Sequence, residues 1–201
     1  MIKDIIFDLG NVLLFDNPSH IMNILTLSDY EKELVGKQFF NNWEKLDLGE
    51  ETLLEHFNNC HFNIKIDDVT KDKLIKYYKY RPYNMEILDI MKRLKQNGYN
   101  IYILSDNNID TYKYLKGLKE LSFVDGWALS CEFHKLKENG NLIKELFNNY
   151  NLKPGECFFI DDKKENIEMG KTFGMKGHKL DYSKFKVDAL IEDLIKNNIR
   201  I

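Results

Sequence analysis

The chain has 201 residues, 43% hydrophobic and 13% aromatic, enough to bury one core with an insertion or two small ones. Its 29 basic and 32 acidic residues are interspersed and sum to −3, so no one-signed field points to nucleic acid or to an anionic membrane as a partner. A small molecule is the expected ligand. Asp4 and Asp8 interrupt the first apolar run and no small-residue cleavage site follows, which argues against a signal peptide; no other stretch approaches the ~18 apolar residues of a membrane span. Cys60, Cys131 and Cys157 are odd in number and far apart, giving neither a CxxC metal pair nor a disulfide framework. Three small buried thiols in a reducing cytoplasm are expected.

In chain order, Ile5-Ile6-Phe7 is a short apolar run that stops at Asp8 and the Gly10-Asn11 turn, the pattern of a buried strand. From residue 15 to 80 the apolar positions Leu25, Leu34, Phe39, Phe40, Trp43, Leu53, Leu54 and Phe57 fall at mixed helical spacings with no convincing strand. A small helical insertion after the first strand is expected there, over the mouth of a site where a lid belongs. Arg81-Pro82 is its return point, since proline suits the start of a following helix. Met85, Leu88, Ile90, Met91 and Leu94 then mark a helix stopped by Asn97-Gly98. A strand over 100–104 precedes Ser105-Asp106-Asn107-Asn108, and a helix carrying Leu142, Ile143, Leu146 and Phe147 precedes a strand over 157–160 and the pair Asp161-Asp162. Ile167, Met169, Gly170 and Phe173 mark a last helix, stopped by Gly174. Strands alternating with helices imply an α/β, Rossmann-like parallel sheet with right-handed crossovers and helices on both faces. We expect a core of residues 1–14 and 81–201 and a helical cap of residues 15–80. In such sheets the ligand lies beyond the carboxyl ends of the strands, so the polar clusters after Phe7, Leu104 and Ile160 should converge.

Asp8 alone is as readily a turn or cap residue as a catalytic one. Asp161 and Asp162 after a buried strand repel each other unless a cation or solvent relieves them. With Asp8 they make a hard-oxygen set suited to Mg²⁺; paired surface acids are the competing reading.

These segments resemble those of the haloacid dehalogenase superfamily. Phe7-Asp8-Leu9-Gly10-Asn11-Val12 is similar to its first motif, Ile103-Leu104-Ser105-Asp106 to its second, and Phe158 through Ile167 to its fourth, in the right order over essentially the whole chain. Trp43 through Glu50 resembles the small helical cap of the branch whose cap follows the first strand. The Leu-Gly-Asn form is similar to that of bacterial sugar-phosphate phosphatases acting on glucose 1-phosphate, and the branch includes the phosphatase domain of soluble epoxide hydrolases. The resemblance implies a Mg²⁺-dependent phosphomonoesterase acting on a small phosphorylated metabolite. Asp8 would be the nucleophile and carry an aspartyl phosphate. The metal would be held by Asp8, the Gly10 carbonyl and Asp162, with Asp161 as a second or water-mediated ligand. Ser105 and the backbone at Asp106 would hold the phosphoryl oxygens. Lys137 matches the lysine of the third motif, although Glu138 replaces the proline that often follows it; Lys135 is the fallback. Asn166 would support the metal loop.

One departure matters. Where the family's phosphatases carry a second aspartate two residues after the nucleophile, this chain has Gly10. That acid is worth about 10²–10⁴-fold in rate. Three readings compete: a leaving group needing little protonation, such as an anomeric sugar oxygen; an acid borrowed from the cap or hinge, with Asp16 nearest in sequence; or a protein that binds a phosphorylated ligand or a protein partner without turnover. A phosphomutase, which depends most on that acid, and a dehalogenase, which needs no metal, are disfavoured. The histidines His20, His56, His61, His134 and His178 show no zinc spacing. The aromatics Phe39, Phe40, Trp43 and Phe57 are expected to be cap core, and Tyr77 through Arg81 to pack at the hinge.

Overall fold

The computed structural model describes residues 1–181 and 187–201. Five parallel strands form one sheet in the order β3-β2-β1-β4-β5: β1 (Asp4–Phe7), β2 (Asn100–Ser105), β3 (Gly126–Leu129), β4 (Cys157–Asp161) and β5 (Lys176–Lys179). Every residue of β1 is buried, as expected of a central parallel strand covered on both faces. Its register sets Phe7 beside Ile103 of β2 and Ile160 of β4, so the three strands end level with one another. After β1 the chain adds β2 and β3 on one side and then crosses back for β4 and β5, which puts the switch of direction beside β1.

Alternate side chains along the strands feed two cores. Ile5, Phe7, Ile101 and Ile103 pack with helices α6 (Met85–Gln96), α7 (Ile109–Lys116) and α11 (Asp188–Lys196), through Ile87, Met91, Leu115 and Leu190 among others. Ile6 and Leu104 pack on the other face with α9 (Asn141–Tyr150) and α10 (Lys164–Thr172). Between β1 and α6 lie α1 (Pro18–Asn23), α2 (Asp29–Phe39), α3 (Glu44–Asp47), α4 (Leu53–Asn59) and α5 (Asp68–Ile75). They gather around their own core of Ile21, Val35, Phe39, Leu46, Leu53, Leu74 and Tyr77, forming an inserted helical cap. Two of these short helices carry full capping boxes, Ser28 with Glu31 and Thr52 with Glu55, which satisfy N–H groups that a helix of this length otherwise leaves to water. Among the described residues, no helix is long and apolar enough to cross a membrane.

The cap is tied to the sheet domain along one edge. The Asp47 carbonyl accepts from the Ser130 hydroxyl of α8 (Ser130–Phe133), the Leu48 carbonyl accepts from His134 Nδ1 at 2.6 Å, and Asp110 accepts from Leu53 N–H at 2.8 Å. Between them Gly49 sits at φ +68, where an added Cβ would stand 2.3 Å from the Cys131 carbonyl oxygen. Only glycine meets both demands. Cys131 and Cys157 are buried but Cys60 is only partly so, which corrects the expectation of three buried thiols; all three are unpaired. Gly49→Ala is therefore expected to cost about 1–3 kcal/mol, read as a fall in Tm of about 2–4 °C per kcal/mol; an unchanged Tm would show that this edge is not a fixed contact.

Candidate functional site

The strand ends converge as their register requires. Asp8 follows β1, Ser105 closes β2, and Asp161-Asp162 end β4, all at one edge of the sheet. Asp8, Ser105 and Asp162 border a cavity of about 630 Å³ that is roofed by Ile21, Phe40, Trp43 and Asp47 of the cap, with Asp161 buried behind it.

At its floor the Lys137 ammonium lies 2.8 Å from Asp8 Oδ2 and 2.7 Å from Asp161 Oδ2, with all three side chains at least nine-tenths buried. The Lys137 main-chain N–H donates to Asp106 Oδ1 at 3.0 Å, fixing the loop that delivers the side chain. Burial pulls the Lys137 ammonium down, but Asp8, Asp161 and Asp106 outweigh it and hold it above its ordinary value. Burial likewise pushes Asp8 up to about 7, with Lys137 opposing and Asp161 adding. Lys135 is half-exposed and pairs with Glu145, so of the two lysines considered only Lys137 reaches the carboxylates. Asp8 Oδ1 accepts from Leu9 N–H at 2.7 Å. Ser105 is 1% exposed, and its hydroxyl also faces Asp8.

Asp161 is saturated from three sides. Besides Lys137, it accepts from Asn166 Nδ2 at 3.0 Å on both oxygens and from Lys163 N–H at 2.8 Å. Asp162 is half-buried at the cavity wall, where Asn11 Nδ2 donates to its Oδ2 at 3.0 Å. Asp8, Asp161 and Asp162 each offer an oxygen within 4.8 Å of the others. Four carboxylates, counting Asp106, surround a single buried ammonium, so negative charge is left over; an all-oxygen donor set of this kind fits a hard divalent cation. Gly10 lines the same cavity.

Several participants were not singled out from sequence. Asn11, at φ 55, joins the metal loop to the hinge, since its Oδ1 also accepts from Asp16 N–H at 3.3 Å. Ser130 Oγ accepts from Asn107 N–H at 2.9 Å while holding the cap. Asp47 lies within the Trp43–Glu50 stretch, where nothing in the sequence sets it apart from its neighbours; burial pushes it up to about 7, with Asp106 and Asp16 adding and Lys163 and Lys137 opposing. Asp16, the nearest acid in sequence, forms an ion pair with Arg81 Nη2, and the guanidinium lies 5.3 Å from the Tyr77 ring centroid. Among the described residues, Arg81 Nε and Nη1 have no hydrogen-bond partner. Phe39 is cap core as expected, and Phe57 stacks on Phe62. Phe40 and Trp43 pack against the cap core as expected and also line the cavity, as does Tyr77, because α2 ends and α3 begins at its rim. His56 packs in the cap between Glu51 and the Phe39 carbonyl.

Removing the central cation tests this arrangement. In Lys137→Met, Asp8 and Asp161 lose their partner, which costs about 3–5 kcal/mol for a broken buried pair. The folded pKa of Asp8, already raised by burial, then rises further without Lys137 to oppose it, so the loss is greatest at pH 7 and shrinks as the pH falls toward the unfolded carboxylate range. Urea titrations at several pH values read this; a pH-independent deficit would contradict it.

Comparison with known proteins comes to the same fold. The family model described as haloacid dehalogenase-like hydrolase matches residues 2–174. A haloacid dehalogenase family enzyme from Bacteroides thetaiotaomicron, solved in complex with magnesium and inorganic phosphate, superposes with a TM-score of 0.73 at 20% identity, covering 94% of this chain and 99% of that one. A predicted hydrolase of the same type from Porphyromonas gingivalis gives 0.69 at 23% identity, covering 98% of each. The L-2-haloacid dehalogenase of Xanthobacter autotrophicus, solved with chloropropionic acid covalently bound, gives 0.65 at 13%, covering 100% of this chain and 85% of that one. No curated protein matches the chain.

Proposed function

Since the chain belongs to the haloacid dehalogenase-like hydrolase family, we propose that it is a Mg²⁺-dependent phosphomonoesterase of a small phosphorylated metabolite, with a sugar phosphate as the first candidate. The observation that carries this reading is the buried Lys137 ammonium between Asp8 and Asp161, with Asp162 completing an oxygen cluster at the cavity floor. A dehalogenase needs a nucleophilic carboxylate but no metal, which would leave Asp162, at the cavity wall, without a purpose. That the Bacteroides relative was solved with magnesium and phosphate supports the same choice. We assign the core to residues 1–14 and 81–201 and the cap to 15–80, and we place the reaction in the cytoplasm, which suits three unpaired thiols.

Asp8 attacks phosphorus and forms the aspartyl phosphate, which water then cleaves. Lys137 neutralises the nucleophile and the incoming phosphoryl oxygens, a task for a fixed, desolvated cation. Ser105 offers its hydroxyl to one phosphoryl oxygen, and the Asp106 carboxylate keeps the Lys137 backbone in place. Asp8, the Gly10 carbonyl and Asp162 would hold Mg²⁺, which when bound offsets the repulsion between carboxylate and phosphate. Asp161 joins that set mainly by anchoring Lys137 and Asn166, since its oxygens are already occupied. Asn166 and Asn11 orient the loop from behind.

Hydrolysis of p-nitrophenyl phosphate is expected with Mg²⁺, and to vanish on chelation or in Asp8→Asn; wild-type turnover no greater than that of Asp8→Asn would instead favour a protein that binds phosphorylated ligands without hydrolysing them. Asn11→Ala is expected to raise the Mg²⁺ concentration for half-maximal activity about 10–100-fold, the usual effect of losing an outer hydrogen bond to a ligand. An unchanged Mg²⁺ requirement would remove Asp162 from the ligand set.

A further inference from the structure

We propose that Asp47, carried over the cavity by the cap helix α3, gives the leaving oxygen its proton and then takes one from the attacking water. The proposal rests on the phosphomonoesterase reading and supplies what Gly10 lacks. An alkoxide is too basic to leave unprotonated, so a carboxyl that holds a proton near neutral pH must face the scissile bond.

The carboxyls around the cavity differ in whether they can do this. Asp8 is the nucleophile. Asp162 accepts from Asn11, and Asp106 from the Lys137 N–H. Asp16 is engaged by Arg81. Glu138 and Glu165 are exposed to solvent. Asp47 is half-buried in the roof, and among the described residues no hydrogen bond or ion pair engages its carboxyl. Its backbone, in contrast, is fixed by Ser130, so the side chain stands on a rigid support. Burial raises it to about 7, where it can both give and accept a proton. The charged or titratable groups around it are Glu44 and Lys45 on its own helix, Cys131 and Glu132 on α8, His134 after it, and Asp106, Asp16, Lys163 and Lys137 across the cavity.

The protons balance. An Asp8 oxygen bonds to phosphorus as the ester P–O bond breaks, and the departing oxygen takes the Asp47 proton, leaving as the alcohol. Water then attacks the phosphorus of the aspartyl phosphate and gives its proton to Asp47. The P–O bond to Asp8 breaks, returning both carboxyls to their starting forms and releasing inorganic phosphate.

Two substrates of similar shape test the role: p-nitrophenyl phosphate, whose phenolate leaves unprotonated, and benzyl phosphate, whose alkoxide does not. In Asp47→Asn, which is isosteric and keeps the main-chain contact to Ser130, kcat/KM for benzyl phosphate is expected to fall about 10²–10⁴-fold. The loss on p-nitrophenyl phosphate should stay below ~10-fold. In the wild type, benzyl phosphate hydrolysis should decline as the pH rises and Asp47 gives up its proton, and that basic limb should vanish in Asp47→Asn. Asp47→Glu should recover part of the rate and the limb. Equal losses on both substrates, or identical behaviour of Asp47→Asn and Asp47→Glu, would overturn the role of Asp47 while leaving the phosphatase intact. A wild type that hydrolyses neither ester would overturn the phosphatase reading and this role with it.

Discussion

A buried ammonium held between two buried carboxylates organises this protein. Isolated, any of Asp8, Asp161 and Lys137 would be expensive to remove from water; together they are tolerable because each satisfies the others. The strand register sets the first condition, since Asp8 and Asp161 meet only because β1 and β4 are neighbours that end level. The second condition is the loop after α8, which is anchored by Asp106 at the Lys137 N–H and so brings the ammonium in from the other side of β1. Such a cluster is a poor source of net stability, because hydrophobic replacements would avoid its desolvation cost. What it provides is placement: the Asp8 carboxyl is fixed at the cavity floor with a buried cation 2.8 Å away.

The glycine at position 10 belongs to a second matched arrangement. A Cβ there would lie 3.3 Å from Asp16 Oδ2, tight for a carboxylate that is itself held by Arg81. The hinge carboxyl thus fills space that a longer residue at position 10, two after Asp8, would need. Asn11 connects the two by accepting from Asp16 N–H while donating to Asp162. The first loop is therefore coupled to the hinge and to the end of β4 through one amide side chain.

The parts of the fold legible in sequence were those whose signal is local. The strands β1, β2 and β4 are runs of buried apolar residues bounded by polar turns, and the acids at their ends could be located with them. The edge strand β5 reads Lys-Gly-His-Lys, with no apolar run to mark it, and its pairing with β4 is all that makes it a strand. Strand β3 is four residues long and begins at Gly126, whose missing side chain leaves room for the Tyr150 ring; that need arises from a helix 24 residues further on. The same contrast holds in the site. Position along the chain pointed to Lys137, but only the fold distinguishes it from Lys135, which turns outward to Glu145. Asp47, Ser130 and Arg81 gain their roles from the docking of the cap on the sheet, an event with no signature in spacing or composition. Phe40 and Trp43 belong to the cap core, as aromatics at helical spacing usually do; their second place at the cavity rim reflects where α2 stops and α3 starts.

The hydroxyl of Ser130 reaches in two directions, to a cap carbonyl and to the backbone of the turn after β2 at Asn107. A lifted cap must give up the first of these bonds, which leaves the serine bonded on the sheet side alone. The position of the cap and the posture of the turn at Asn107 thus share one atom, so the roof of the cavity and its floor are joined through a single hydroxyl.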